Sequence, residues 1–497
     1  MNLPAAATTK RGAASSEPPL FARLRDAVGS DGLITELEQL RTYECDGLTG
    51  HRVIPAAVVL PRSTAQVAEC VRACQQARTP FVARGAGTGL SGGALPVADG
   101  VVIGLARMRA VLDVDLENQR VTVQPGVTNA AISQAVTAAG FYYAPDPSSQ
   151  SVCTIGGNVA ENSGGAHCLK YGFTTHHVTG ATLVTADGRV ARLGGAVADT
   201  PGYDLLGVVV GSEGTLGIVT EVIVSILPLP ETVRTLLAAF PSVEEAGDAV
   251  SRIIAGGIVP AAVEMMDRLS VEAVEAAVHP GYPQCEAVLI VELDGPASEC
   301  DSCFDAVQAI CRESHASELR VAADADERAL IWRGRRAAFA AMGRVSPTYY
   351  VQDGVIPRTR LAEVLAGIHG CAAQYGLRVA NVFHAGDGNL HPLVLYDAAR
   401  AGEPERAEEL AGRILDLCIE AGGSITGEHG VGTDKACHMP KQFSPGALEA
   451  FARLRAAFDP DDLCNPGKVL PTPRLCGEVP GPYRAHPAEI AGQAERM

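Results

Sequence analysis

Two short phrases in the second half of this 497-residue chain combine residue types that can hold a cation and move a proton. The first is His384-Ala-Gly-Asp387-Gly-Asn389-Leu-His391, and the second is Gly427-Glu428-His429-Gly430. His384 and His391 bracket Gly-Asp-Gly-Asn, a tight turn able to fold the two imidazoles towards each other. Neutral imidazole is a common metal ligand, and a carboxylate is a frequent third donor. Glu428 sits on another glycine-rich turn, where backbone can come close to a site. The plain alternative is that these histidines are hydrogen-bonded packing residues beside an apolar strand. No HExxH helical pair is present to make the metal signal sharper. If the set is a site, His384, His391 and Glu428 are the expected ligands, and His429 is the expected base. A divalent cation on a hydroxyl oxygen acidifies it, and a nearby imidazole can then take the proton.

The first half carries a different chemistry. Arg84-Gly85-Ala86-Gly87-Thr88-Gly89-Leu90-Ser91-Gly92-Gly93 directly follows an expected strand at 81–83. Glycines at this density permit positive φ, so successive N–H groups can turn inward around an anion such as a pyrophosphate. No Gly-Lys-Ser/Thr follows, so this is not a Walker loop, and no helix is expected after the glycines as a Rossmann fingerprint requires. One such turn can be a plain loop, but two further stretches of small polar residues accompany it. One runs through Asp146-Pro147-Ser148-Ser149, Thr154-Ile155-Gly156-Gly157-Asn158 and Glu161-Asn162-Ser163-Gly164-Gly165. The other is Gly211-Ser212-Glu213-Gly214-Thr215-Leu216-Gly217-Ile218-Val219. Read as loops between strands, all three can offer backbone donors to a dinucleotide.

The elements that must position these residues follow from patterning. A helical lead-in over 21–50 precedes strands at 56–60, 81–83, 101–104, 111–114 and 120–123, with helices capped by Ser63 or Thr64 and by Thr128. Further strands are expected at 181–185, 189–193 and 218–227. Leu227-Pro-Leu-Pro230 interrupts both strand and helix and is the expected boundary. Beyond it, amphipathic helices at 243–256, 268–278, 298–314 and 359–376 alternate with strands at 234–240, 287–293, 349–352 and 379–384. That pattern predicts an α+β unit with helices over one face of a sheet. The expected division is a disordered arm over 1–20, a cofactor domain over 52–230, a substrate domain over 231–470 and an extended tail over 471–497.

Composition excludes several classes. With 47% apolar and 20% charged residues the chain should mostly fold, and a net charge of −17 without a Lys/Arg run argues against nucleic acid and anionic lipid. No apolar stretch is long enough to span a bilayer, and residues 1–19 lack a secretory pattern. The fourteen cysteines are expected to be free thiols in a reducing compartment, and the Cys300/Cys303 pair to share a helix face. No four-cysteine iron–sulfur signature occurs.

Residues 52–230 resemble the FAD-binding domain of the vanillyl-alcohol oxidase class of flavoproteins. The second half resembles the FAD-linked oxidase domain shared by D-lactate, D-2-hydroxyglutarate and glycolate dehydrogenases. From Tyr43 to Gly477 the chain is similar above all to the FAD-linked subunits of bacterial glycolate oxidases, through Tyr43-Glu-Cys-Asp-Gly-Leu48, Tyr142-Tyr-Ala-Pro-Asp-Pro-Ser-Ser149, Gly343-Arg-Val-Ser-Pro347 and Cys464-Asn-Pro-Gly-Lys468.

The resemblance implies an α+β flavoprotein that oxidises a small 2-hydroxy acid by hydride transfer to FAD. Arg84, Gly85, Ala86, Gly87, Thr88 and Gly89 would hold the pyrophosphate. Pro147, Ser148, Thr154, Gly157, Asn158, Asn162, Gly165, Gly211, Glu213, Gly214, Gly217, Ile218 and Val219 would line the ring and ribityl chain, with Asn465 contributing from the far end. Some members tether FAD through a histidine in the first loop, whereas Thr88 and Leu90 stand around that position here, so non-covalent FAD is expected. The metal ligands would be His384, His391 and Glu428, with zinc as the ion usually described and His429 as the base. Among Arg333, Arg335 and Arg336, similarity around the only tryptophan selects Arg335 for the substrate carboxylate; a solvated helix face is the alternative. Val351 and Leu393 stand where hydroxyglutarate-type relatives carry polar residues, which favours a small acid. A second flavin-domain subunit and an iron–sulfur subunit are the implied partners. The expected location is cytoplasmic, with any membrane association peripheral and through partners. Competing expectations are a D-lactate dehydrogenase, a flavin-binding accessory subunit without chemistry of its own, and a metallohydrolase.

Overall fold

The computed structural model describes residues 18–197 and 201–471. The expected arm and tail lie outside them, apart from Pro18 to Leu20, which open the helix Pro19–Val28, and residue 471. In the first half a four-stranded sheet runs in the order Leu33–Ile34, Ala57–Val59, Val101–Gly104, Phe81–Arg84, its last three strands parallel. The helices Pro19–Val28 and Thr64–Gln76 bury Leu24, Val28, Val67, Val71 and Cys74 against it. Ser63 caps the second of these by accepting from the Gln66 N–H. Thr128 does the same for Asn129–Thr137.

A five-stranded antiparallel sheet follows, ordered Val111–Asp115, Arg120–Val123, Ile218–Ser225, Val178–Val184, Val190–Gly194. Its central strand alternates buried and half-buried residues, as a sheet covered on one face should. One segment departs from expectation. Thr154 to Glu161, read as loop, contains the helix Ile155–Glu161. Consecutive glycines weaken local helix propensity, but Ile155 and Val159 bury against the sheet, and tertiary packing prevails.

The second half is built on an eight-stranded antiparallel sheet. Seven strands run in the order Glu318–Val321, Thr232–Phe240, Ala287–Gly295, Ala262–Asp267, Arg378–His384, Asn389–Tyr396, Thr348–Val351, and Gly354–Val355 also pairs with Asn389–Tyr396. Helices cover both faces, not one. Leu236, Ala238 and Phe240 face Val243–Ala255, Ala297–Glu313, Leu361–Tyr375 and Glu403–Glu420. Leu237, Val288 and Ile290 face Arg268–Val278 and Ala325–Ala341. The central strands are therefore buried along their length and lack the alternation that marks a one-sided sheet. That is why Ala262–Asp267 escaped a period-2 reading.

The last stretch of the second half returns to the first. Leu463 and Cys464 bury in the N-terminal core, and the Phe81 N–H and C=O bond to Leu463 O and Asn465 N at 2.8 Å each. Cys300 and Cys303 are free thiols on Ala297–Glu313, as expected, whereas Cys437 is disulfide-bonded, against the expectation. Among the described residues no helix is long and apolar enough to cross a membrane.

Candidate active site

The two histidines owe their meeting to a hairpin. Arg378–His384 and Asn389–Tyr396 pair with His384 opposite Asn389 and Val382 opposite His391. Residues two apart on a strand share a face, so His391 lies on the face that His384 and Asn389 occupy. The turn depends on Gly388, at φ +82°, where an added Cβ would lie 2.1 Å from the Ile356 carbonyl oxygen. The two rings meet edge to face with centroids 5.1 Å apart.

Glu428 completes the group from a separate loop. Its Oε1 lies 3.3 Å from His384 Nε2 and 3.0 Å from His391 Nε2. Three ligand atoms about 2.0–2.2 Å from one tetrahedral ion lie a little over 3 Å from one another, so this donor set fits a zinc-like cation. His384 Nδ1 lies 2.8 Å from Glu264 Oε1, the carboxylate support that fixes a ligand imidazole's orientation. The His429 ring stacks on His391, with centroids 4.9 Å apart and planes 10° apart. Burial pushes the His429 imidazole down to about 4. It is therefore neutral near pH 7 and able to accept a proton.

The loop carrying Glu428 and His429 is held by Asp353. Its carboxylate accepts from the Gly427, Glu428 and His429 amides at 3.0, 3.2 and 2.9 Å and from the Thr426 hydroxyl at 2.6 Å. Burial opposes its ionisation, yet the facing His429, Lys435 and His391 hold the Asp353 carboxyl far below its usual range.

Arg335 is buried, and its Nε donates to Glu264 Oε2 at 2.7 Å. Its Nη2 lies 2.7 Å from the same oxygen, so the guanidinium is ion-paired with Glu264. This side chain borders a small cavity of about 150 Å³ shared with His167, Trp332, Arg336 and His384. Arg336 also reaches the main cavity, a cleft of about 690 Å³ between the halves.

Arg84, Gly85, Ala86, Gly87, Thr88, Gly89, Pro147, Ser148, Thr154, Gly157, Asn158, Glu213, Gly214, Gly217, Ile218 and Val219 line one wall of that cleft. Phe339, Tyr349, Val351, His391, Glu428 and His429 line the other. The cleft suits a dinucleotide. A Cβ on Gly85 would sit 2.4 Å from Thr154 Oγ1, a buried hydroxyl without a partner that a ligand would satisfy.

Four of the expected cofactor residues stand behind the wall. Asn162 ends the helix Ile155–Glu161 at φ +55° and accepts from Thr175 N, and the Gly211 N–H donates to Val159 O. Gly165 packs on the Asp146 backbone. Asn465 donates to the Gly93 and Glu213 carbonyls and so braces two loops. Leu393 is buried in the hydrophobic core, away from the cleft.

Glu264, Asp353, Lys435 and His167 were not singled out from sequence. Glu264 carried one usable signal, a carboxylate inside the apolar run Ala262–Asp267.

Residues 55–194 match the model of an FAD binding domain, and residues 229–469 match that of the C-terminal domain of FAD linked oxidases. The chain is 52% identical to glycolate oxidase subunit GlcD of Escherichia coli (strain K12), over 92% of this chain and 91% of that protein. It is 32% identical to a D-lactate dehydrogenase of Anaerostipes hadrus, over 84% and 89%. The crystal structure of p-cresol methylhydroxylase superposes with a TM-score of 0.76 at 18% identity, over 90% and 96%, a likeness of fold alone.

Proposed function

The chain belongs to the family of FAD-linked oxidases and is an FAD-dependent oxidoreductase, and from that premise we propose that it oxidises a small 2-hydroxy acid, with glycolate as the first candidate. One observation carries the reading: His391 and Glu428 of a His/His/Glu donor set, completed by His384 beside the cleft, and a stacked neutral imidazole face glycine-lined loops across a single cleft.

When bound, FAD supplies the hydride acceptor, and a divalent cation on His384, His391 and Glu428 supplies acidification of the substrate hydroxyl. His429 accepts the hydroxyl proton at its free imidazole nitrogen. Asp353 holds the backbone of His429 and thereby aims the ring. Arg335, held in place by its ion pair with Glu264, and Arg336 hold the substrate carboxylate, for which a guanidinium is suited by its paired donors. Val351 gives the cleft wall an apolar surface at that point, which disfavours a dicarboxylic acid. Non-covalent FAD and zinc are part of this reading. So is work within a complex, since relatives carry the name glycolate oxidase subunit. The onward carriers are then a second flavin-domain subunit and an iron–sulfur subunit.

Anaerobic mixing of the holoenzyme with glycolate, D-lactate and D-2-hydroxyglutarate, followed by flavin absorbance, tests the proposal alongside metal analysis of the same sample. Fast bleaching by glycolate is expected; preference for hydroxyglutarate defeats the assignment. D-Lactate is the second reading, favoured by the similarity to a D-lactate dehydrogenase.

A further inference from the structure

Six consecutive amides, from Gly427 to Gly432, run through the loop that carries Glu428 and His429. Asp353 takes the first three, and Thr426 Oγ1 accepts from Gly430 at 3.0 Å. The last two go elsewhere. Val431 N donates to Glu213 Oε1 and Gly432 N to Glu213 Oε2, each at 2.6 Å. Asp353 and Thr426 belong to the same half as the loop, whereas Glu213 comes from the dinucleotide half, within the segment that borders the flavin cleft.

Glu213 is itself tightly placed. It is buried, its backbone is left-handed at φ +51°, and its carbonyl accepts from Asn465 at 2.7 Å. A second carboxyl packs beside it: Glu161, whose Oε2 is buried without a partner. Gly430 lies directly on the pair. A Cβ there would fall 2.0 Å from Glu161 Oε2 and 2.9 Å from Glu213 Oε1. Two adjacent buried carboxyls cannot both ionise cheaply. Burial raises both, Glu213 to about 7 and Glu161 well above its usual range; the Val431 and Gly432 amides, one on each Glu213 oxygen, oppose that rise, so Glu213 is the one of the pair that ionises more readily.

We propose that Glu213 is a positioning residue for catalysis, the clasp by which the flavin half fixes the loop bearing Glu428 and His429. Its carboxylate spans two successive amides, which neither an amide side chain nor a shorter acid can do equally well. The base is thereby registered to the flavin half directly, and an ångström of slack there costs on the order of a hundredfold in rate. This inference rests on His429 acting as base, and its test therefore includes a readout that needs no turnover.

Amide hydrogen exchange on the FAD-loaded E213Q holoenzyme should quicken at Val431 and Gly432 by about tenfold or more, with the core strands unchanged. Flavin reduction at saturating glycolate should fall about 10–100-fold per bound flavin, with KM moved less than about threefold, because the loss lies in alignment. E213D, which keeps both oxygens but withdraws them by one methylene, should recover part of the rate. If E213Q does not accumulate with FAD, E213D alone decides: several-fold slower reduction at full FAD content supports the clasp, and a wild-type rate overturns it. Faster loop exchange with an unchanged reduction rate also overturns it. Wild-type enzyme reduced by no hydroxy acid would instead fault the reaction assigned to the site and leave the exchange result standing.

Discussion

At the scale of single residues, His429 and Glu264 separate chemistry from support. The amide of His429 keeps its bond to Asp353 whatever the side chain, and the ring mainly stacks on His391, so H429N should retain FAD and metal. Its flavin reduction should fall by about 10²–10⁴, the usual worth of a positioned base. Stopped-flow bleaching at saturating substrate measures this, and undiminished reduction would exclude His429 as the base. Glu264 bridges two functions, with one oxygen on His384 and the other on Arg335. Burial works against its charge, but His384 and Arg335 keep its carboxyl below the ordinary range. E264Q should weaken metal retention by about 10–100-fold, as loss of a supporting carboxylate does, and raise KM through a misdirected Arg335. Metal content after dialysis against a chelator reads the first effect, and the KM shift reads the second.

At the scale of elements, the hairpin turn is the weak point of the metal group. Gly388 is left-handed and lies against the Ile356 carbonyl. G388A should cost about 1–3 kcal/mol from the backbone alone and loosen the His384–His391 pair. Thermal unfolding with metal analysis tests it, and a variant with wild-type Tm and metal content would contradict this account of the turn. The same hairpin explains what the sequence could reveal. His384, Gly388 and His391 sit within eight residues, so their meeting is a local matter of turn and strand period. The glycine loops were legible for the same reason. Partners that come from far along the chain were not: Glu264 reaches Arg335 across 71 positions, and Glu213 reaches Gly432 across 219. Strands buried on both faces lose the alternation that would announce them, and Ile155–Glu161 hides its helix behind two glycines.

At the scale of the whole molecule, charged contacts fasten the halves as well as the cleft. His167, from the first half, lies 2.7 Å from Asp146 and 3.2 Å from Glu292 of the second, and stacks on Trp332. Burial opposes its protonation, but Asp146 and Glu292 outweigh that and raise the imidazole well above its ordinary range. A raised folded pKa stabilises fully below the unfolded value, near 6.5, and that stability disappears as pH climbs through the folded value. The protein should therefore lose stability as pH rises past neutral, and each tenfold gain in proton affinity is worth about 1.4 kcal/mol. Tm measured across that range should slope less in H167Q, and identical slopes would remove His167 from this role.

The return of Leu463, Cys464 and Asn465 to the first core has a consequence for biosynthesis. Asn465 and Lys468 hold the carbonyls of Gly93 and Leu95, and they leave the ribosome 372 and 373 residues after those partners. A nascent first half can form its sheets early, but its glycine turns stay unbraced until translation is almost over. Flavin capture should then be a late, near-terminal event, and stalled chains halted before residue 459 should emerge colourless.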